Sequence, residues 1–164
     1  MNKAAMTEAE ICQNFITPAI EKAGWDKQTQ IRREFTFTAG RVFVRGKMAV
    51  RGKCRRADYL LFFQPHLPLA VVEAKDNTQP VGGGMQQALA YAETLDVPFV
   101  FSSNGDAILF HDRTGKTSPV ERQIGLDEFP TPAELWNRYR EWKGLTESGF
   151  SVQVRTDDPL PPII

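Results

Sequence analysis

Two apolar runs of strand length, 57–63 and 69–75, stand either side of a five-residue break, 64–68, that contains Pro65 and Pro68. Short runs rich in Leu, Val and Phe make strands, and a proline-punctuated break between them turns the chain back on itself. The block therefore specifies an antiparallel hairpin. Its second run, LAVVEAK, is apolar at nearly every position, the pattern of a strand covered on both faces. Such a strand needs a neighbour on its far side and helices above and below the sheet.

The flanking segments supply those elements. Thr7 and Glu10 form a capping-box pattern ahead of Ile11, Phe15, Ile16, Ala19, Ile20 and Ala23, which predicts a helix over 8–23 closed by Gly24. Residues 31–37 alternate as a strand, 41–44 resume that pattern, and the basic, glycine-punctuated stretch 45–56 reads as a loop. After Gly82, Gly83 and Gly84, the positions Met85, Leu89, Ala92 and Leu95 keep helical spacing up to Asp96 and Pro98. Strands at 99–102 and 107–111 flank an Asn104-Gly105 turn. A final helix opens at Pro132 and carries Leu135, Trp136, Tyr139 and Trp142, the two tryptophans as packing residues. The expected class is α/β, with a central mixed β-sheet flanked by helices.

At 164 residues the chain has room for one domain with a real core, set here at 1–143, with 144–164 as a linker or tail. No apolar run approaches the roughly 20 residues that cross a bilayer, so no membrane partner is expected and the cytoplasm is the expected location. Cys12 and Cys54 lack metal or disulfide spacing and read as plain thiols. His66 and His111 have no partners at catalytic spacing. Gly115-Lys116-Thr117 lacks the earlier glycine of a phosphate-binding loop, Phe110 standing there instead, so no ATPase motor is read in this chain. Although the formal net charge is zero, nine basic residues and one acid fall between Arg32 and Arg56. That concentration is the footprint of a polyanion-facing surface, and Arg32, Arg33, Arg51, Lys53, Arg55 and Arg56 are the candidate phosphate contacts.

The hairpin also carries the chemistry. Asp58 begins one strand; Glu73 and Lys75 follow 15 and 17 residues later at the end of the other. Residues two apart in a strand share a face, and a short hairpin brings Asp58 opposite that end. Two carboxylates and the Ala74 carbonyl are hard oxygen donors suited to Mg2+ or Mn2+, and a lysine beside them can hold a water. Phosphodiester hydrolysis is the reaction such a set can perform.

Ala57-Asp58 followed by Val71-Val72-Glu73-Ala74-Lys75 resembles the D…ExK motif of the PD-(D/E)xK nuclease superfamily, with alanine in the proline position. Gln87 and Tyr91 resemble the QxxxY motif of its RecB-like branch. The longer blocks TEAEICQNFITPAIEKAGWD, ADYLLFF…LAVVEAK, GGGMQQALAYAETLDVPFVFSSNG and FPTPAELWNRYREWKGLT resemble the N-terminal endonuclease domain of the type I restriction-modification R (restriction, or motor) subunit. The resemblance implies a restriction-endonuclease-like fold and Mg2+-dependent cutting of double-stranded DNA. It implies fusion to an ATP-driven translocase, so that ATP acts only through motor domains, and assembly with modification and specificity subunits.

Carried over by position, Asp58 and Glu73 are the metal-binding acids, with the Ala74 carbonyl beside them. Lys75 positions or polarises the attacking water. Gln87 and Tyr91 touch the DNA backbone or steady the site. The family's additional helix acid falls on Glu8 or Glu10; Glu8 shares the core-facing stripe with Cys12, Phe15 and Ala19, while Glu10 is taken by the cap, so Glu8 is the expected ligand. Two other functions fit the same residues: a DNA-binding or assembly module with little activity in isolation, and a standalone RecB-like repair nuclease.

Overall fold

A computed structural model of the chain describes residues 2–38 and 54–144. The first helix is capped as expected: Thr7 Oγ1 accepts from the Glu10 N–H (3.1 Å), and Glu10 Oε1 accepts from the Thr7 N–H (2.9 Å). It is not uniform. A π-helical turn, Cys12–Ile16, separates α1 (Glu8–Ile11) from α2 (Thr17–Lys22). Pro18 has no N–H and its ring crowds the carbonyl four residues back, so the ladder widens and the Thr17 N–H reaches the Cys12 carbonyl, five residues away.

Six strands among the described residues make one sheet: β1 (Ile31–Thr38), β2 (Cys54–Gln64), β3 (Leu67–Ala74), β4 (Phe99–Ser103), β5 (Ile108–Asp112) and β6 (Glu121–Ile124), side by side in chain order. All neighbours are antiparallel except β3 and β4. Parallel neighbours need a crossover, and α3 (Met85–Leu95) provides it. Met85, Ala88 and Ala92 of α3 pack on Leu60, Val71 and Val100. On the opposite face, Ile11, Ile16, Ile20 and Leu135 pack with Tyr59, Leu61, Phe99 and Phe101, which seats the N-terminal helices and α4 (Pro132–Lys143) there. The sheet is mixed and covered on both faces, as the sequence predicts. Between these layers β3 is buried at every position except Pro68, which is half-buried.

The centre of the larger cluster is aromatic. Phe101 is fully buried, stacks on Phe110 at 4.5 Å between ring centroids with planes 8° apart, and meets Phe129 at 4.5 Å. Phe101→Ala is expected to cost about 3–5 kcal/mol, because neither sheet nor helix can collapse into the void. Urea unfolding measures it, and a loss below about 1 kcal/mol would show that the site relaxes.

Three features of the strands and turns differ from the sequence expectation. Residues 54–56 are strand, not loop: Thr36, Phe37 and Thr38 of β1 pair with Arg56, Arg55 and Cys54, and the ladder holds this polar, basic segment extended. The turn at Asn104-Gly105 spans four residues, with Asn104 Oδ1 accepting from the Asp106 N–H (2.9 Å) and Gly105 at φ 93°. The edge strand β6 was not expected, since ERQI offers one buried side chain, Ile124, and is held mainly by backbone pairing to β5. A short 3-10 turn, Leu126–Glu128, precedes the last helix, which starts at Pro132 after its Thr131 cap. The predicted strand at 41–44 and nearly all of the tail, 145–164, lie outside the described residues.

His66 is the exposed turn residue between β2 and β3, and His111 lies in β5 with Nδ1 2.8 Å from Glu121 Oε1. Trp136 stacks on Phe63 at 4.5 Å. Gly115-Lys116-Thr117 falls between β5 and β6, with no helix after it to receive a phosphate.

Candidate active site

The β2–β3 register puts Tyr59 opposite Val72, and one step further Asp58 meets Glu73. The two acids are locked crosswise. The Asp58 N–H donates to Glu73 Oε2 (2.8 Å), and the Ala74 N–H donates to Asp58 Oδ2 (2.8 Å). Each carboxylate thus holds the backbone of the strand opposite, which fixes both rotamers without any other side chain. Glu73 is 4% exposed. Burial, and then the charge of Asp58, push its carboxyl up to about 8, against the pull of the Asp58 N–H. Two adjoining carboxylates, one of them buried, are an unfavourable arrangement unless a cation lies between them.

A cleft of about 480 Å3 opens over this pair. Glu8 from α1 lines it, as do Arg55 and Arg56 from β2, Lys75 just past β3, and Gln87 and Tyr91 from α3. The Lys75 backbone is pinned by its N–H donating to the Ser103 carbonyl (2.9 Å), an extension of the parallel β3–β4 ladder. Gln87 Nε2 donates to the Tyr91 hydroxyl one helical turn away. Desolvation, then the charge of Glu73, push that hydroxyl's pKa up. Glu8 is pushed up by desolvation and by Asp58, with Lys75 pulling it down, so all three carboxylates feel one another.

The glycine run has a packing role. A Cβ on Gly84 would lie 3.1 Å from the Glu73 Cβ and 3.3 Å from Ser102 Oγ, while its N–H donates to Ser102 Oγ (3.0 Å). A side chain here would press on β3 and β4, so glycine favours the close approach of the start of α3, the helix that carries Gln87 and Tyr91, to the acids.

The family model for the N terminus of the type I restriction enzyme R protein matches residues 42–118, the stretch that holds both acids, the lysine and the Gln-Tyr pair. Over those residues, just under half of its length, the chain is similar to that family. It is 48% identical over 153 residues to the type I restriction enzyme EcoAI endonuclease subunit of Escherichia coli, covering 93% of this chain and 19% of that protein. It matches a solved fragment of a type I restriction enzyme HsdR subunit from Vibrio vulnificus at 41% identity, with a TM-score of 0.71, over 87% of this chain and 27% of that one. The fold is the restriction-endonuclease-like α/β fold. The chain spans about a fifth of the length of the curated relative.

Against this R-protein N-terminal fold, the predicted site residues divide cleanly. Asp58, Glu73, Ala74, Lys75, Gln87, Tyr91, Glu8, Arg55 and Arg56 share one cleft. Glu10 is spent on the cap. Glu8 lines the cleft, yet among the described residues no three acid, histidine or cysteine side chains converge as a metal-holding group. The donors that do converge are the Asp58 and Glu73 carboxylates, with Ala74 at the same rim. This oxygen set is small and hard; it fits Mg2+, which keeps several waters and takes one or two carboxylates.

The other basic candidates leave the site. Arg32 lies over the Phe62 ring (5.3 Å) and Arg33 over the Tyr59 ring (4.7 Å), and those two rings belong to clusters on opposite faces of the sheet. Arg51 and Lys53 lie outside the described residues. One feature beside the site had no sequence signal. The β1–β2 ladder steps from Arg33–Tyr59 to Phe35–Ala57, and Glu34, the residue across from Asp58, has φ 51°. A glutamate in left-handed backbone is uncommon, and here it kinks the strand next to the first acid.

Proposed function

We propose that this chain is a metal-dependent endonuclease domain that hydrolyses phosphodiester bonds of double-stranded DNA. The observation that carries this reading is the crosswise Asp58–Glu73 pair with Lys75 in a single cleft rimmed by Arg55 and Arg56. Asp58, Glu73 and the Ala74 carbonyl hold Mg2+, for which Mn2+ can substitute. When bound there, such an ion would supply charge neutralisation at the scissile phosphate. Lys75, on the same strand face as Glu73, holds the attacking water in line with the departing oxygen. Glu8 closes the cleft from the first helix and orders water around the acids. Gln87 and Tyr91 steady the DNA backbone on the α3 side. Arg55, Arg56 and the basic stretch before them contact phosphates and carry no sequence information.

The R-protein N-terminal family and the name of the EcoAI endonuclease subunit support the larger setting: the restriction subunit of a type I restriction-modification enzyme, working in the cytoplasm with modification and specificity subunits. Sequence choice would then come from those partners. ATP would serve DNA translocation and takes no part in hydrolysis at this cleft. Among the described residues no helix is long and apolar enough to cross a membrane.

Nicking and linearisation of supercoiled plasmid, in Mg2+ or Mn2+ and again with a chelator, tests the reading. Metal-dependent cutting is the expected result. A folded chain that binds the metal and DNA and leaves the plasmid intact would instead be a DNA-binding module.

A further inference from the structure

Among the basic side chains of the cleft, Arg55 differs from Arg56 in a way the sequence does not reveal. Both belong to β2 and both line the cleft, but Arg56 is exposed whereas Arg55 is half-buried. The Arg55 Nε is enclosed by protein and has no hydrogen-bond acceptor among the described residues. Nor does its guanidinium form an ion pair among those residues, although Asp58, Glu73 and Glu8 line the same cleft. Arg138 is paired to Asp112 and Glu134, and Arg113 donates to the Val97 carbonyl. Arg140 shares an enclosed, unpartnered Nε, but its terminal nitrogen donates to Asn137 Oδ1, whereas Arg55 has no such partner among the described residues.

An enclosed Nε without an acceptor is costly. Being enclosed, it does not itself meet a ligand, so a contact made in the cleft falls to the two terminal nitrogens of the same side chain. The guanidinium fork matches two oxygens of a phosphate in one plane, which a lysine ammonium cannot do. Half-burial keeps water from screening that contact, so charge placed there counts for more than charge on the rim. Arg55 also occupies the β2 wall, while Gln87 and Tyr91 occupy the α3 wall, and the two acids lie in the same cleft.

We infer that Arg55 is a catalytic residue of the proposed hydrolysis: its guanidinium grips the non-bridging oxygens of the scissile phosphate and stabilises the charge that builds as water attacks. Arg56, on the exposed side of the same strand, serves ground-state DNA affinity. The inference rests on the endonuclease reading above and divides the labour within its basic rim.

Single-turnover cleavage of supercoiled plasmid by excess protein in Mg2+ is measured beside DNA affinity in Ca2+, for wild type, Arg55→Ala, Arg55→Lys and Arg56→Ala. Arg55→Ala is expected to lower the cleavage rate about a hundredfold or more while affinity changes by less than about threefold. Arg55→Lys keeps the charge and tests the fork; it is expected to stay at least about tenfold slow with affinity unchanged. Arg56→Ala is expected to weaken affinity and its salt dependence. Thermal unfolding checks that each variant is folded. An Arg55→Lys protein that is folded and cuts at the wild-type rate overturns the role of the fork, as does an Arg55→Ala whose rate falls only in step with affinity. A wild type that never cuts overturns the endonuclease reading and this one with it, whereas a cutting wild type beside an equally active Arg55→Ala overturns this one alone.

Discussion

Lys75→Ala is expected to leave a folded chain that still binds DNA and metal but cuts plasmid at least about a hundredfold more slowly. The expectation follows from where the lysine sits. Its backbone is fixed by the hydrogen bond to Ser103 at the end of the parallel ladder, and strand alternation gives its side chain the same face as Glu73. It is half-buried and packs against Gly83, so truncation removes a polar head from the cleft without opening the core. Stability should therefore change by no more than about 0.5–1 kcal/mol. Asp58→Asn is the companion. It keeps an oxygen for the Ala74 N–H but removes the charge, and both metal affinity and cutting should fall while the hairpin stays closed. Rates within threefold of wild type for Lys75→Ala would remove the lysine from the mechanism.

Glu73→Gln should separate stability from activity. In the metal-free protein the Glu73 carboxyl titrates well above its ordinary value because it is buried beside Asp58, reaching about 8 from 4.5. A group that binds its proton more tightly when folded adds stability at low pH, and that contribution is lost as pH rises through the folded value. Stability of the chelated wild type should accordingly decline between about pH 4.5 and 8, each unit of separation being worth about 1.4 kcal/mol before solvent and coupling reduce it. The amide introduced by Glu73→Gln is neutral throughout, and its oxygen can still accept from the Asp58 N–H. The variant should thus match wild type near pH 5, exceed it by a few kcal/mol near pH 9, and cut no DNA. Chemical unfolding across that range, in chelator, measures the difference. Parallel pH profiles for the two proteins would mean that Glu73 carries no such penalty.

The acids and the lysine were legible because their spacing is a property of strands. Asp58, Glu73 and Lys75 are bound by the two-residue period and a short turn, and nothing distant has to intervene. The same locality made α3 readable to its last residue, since Met85, Leu89, Ala92 and Leu95 carry their periodicity within eleven positions. Arg32 and Arg33 show the limit. They belong to one basic stretch by composition, yet adjacent strand residues face opposite sides of a sheet, and the fold sends them to different layers. The beginning of β2 failed for a related reason: Cys54, Arg55 and Arg56 have no strand preference that outweighs their charge, and pairing with β1 alone extends them.

By itself, then, the chain's sequence determined the hairpin, the crossover helix, the acids and lysine at its rim, and the family they point to. These are encoded by short-range patterns of polarity and by residue types with few substitutes. Only the tertiary structure decided that Glu73 is buried while Asp58 crosses to the Ala74 N–H, that Gly84 must be small for α3 to approach the acids, and that Arg55 rather than Arg32 or Arg33 enters the cleft. Each of those facts depends on which surfaces meet across the β1–β2 ladder and the β3–α3–β4 crossover. Burial and charge proximity arise from that meeting, and no local pattern records it.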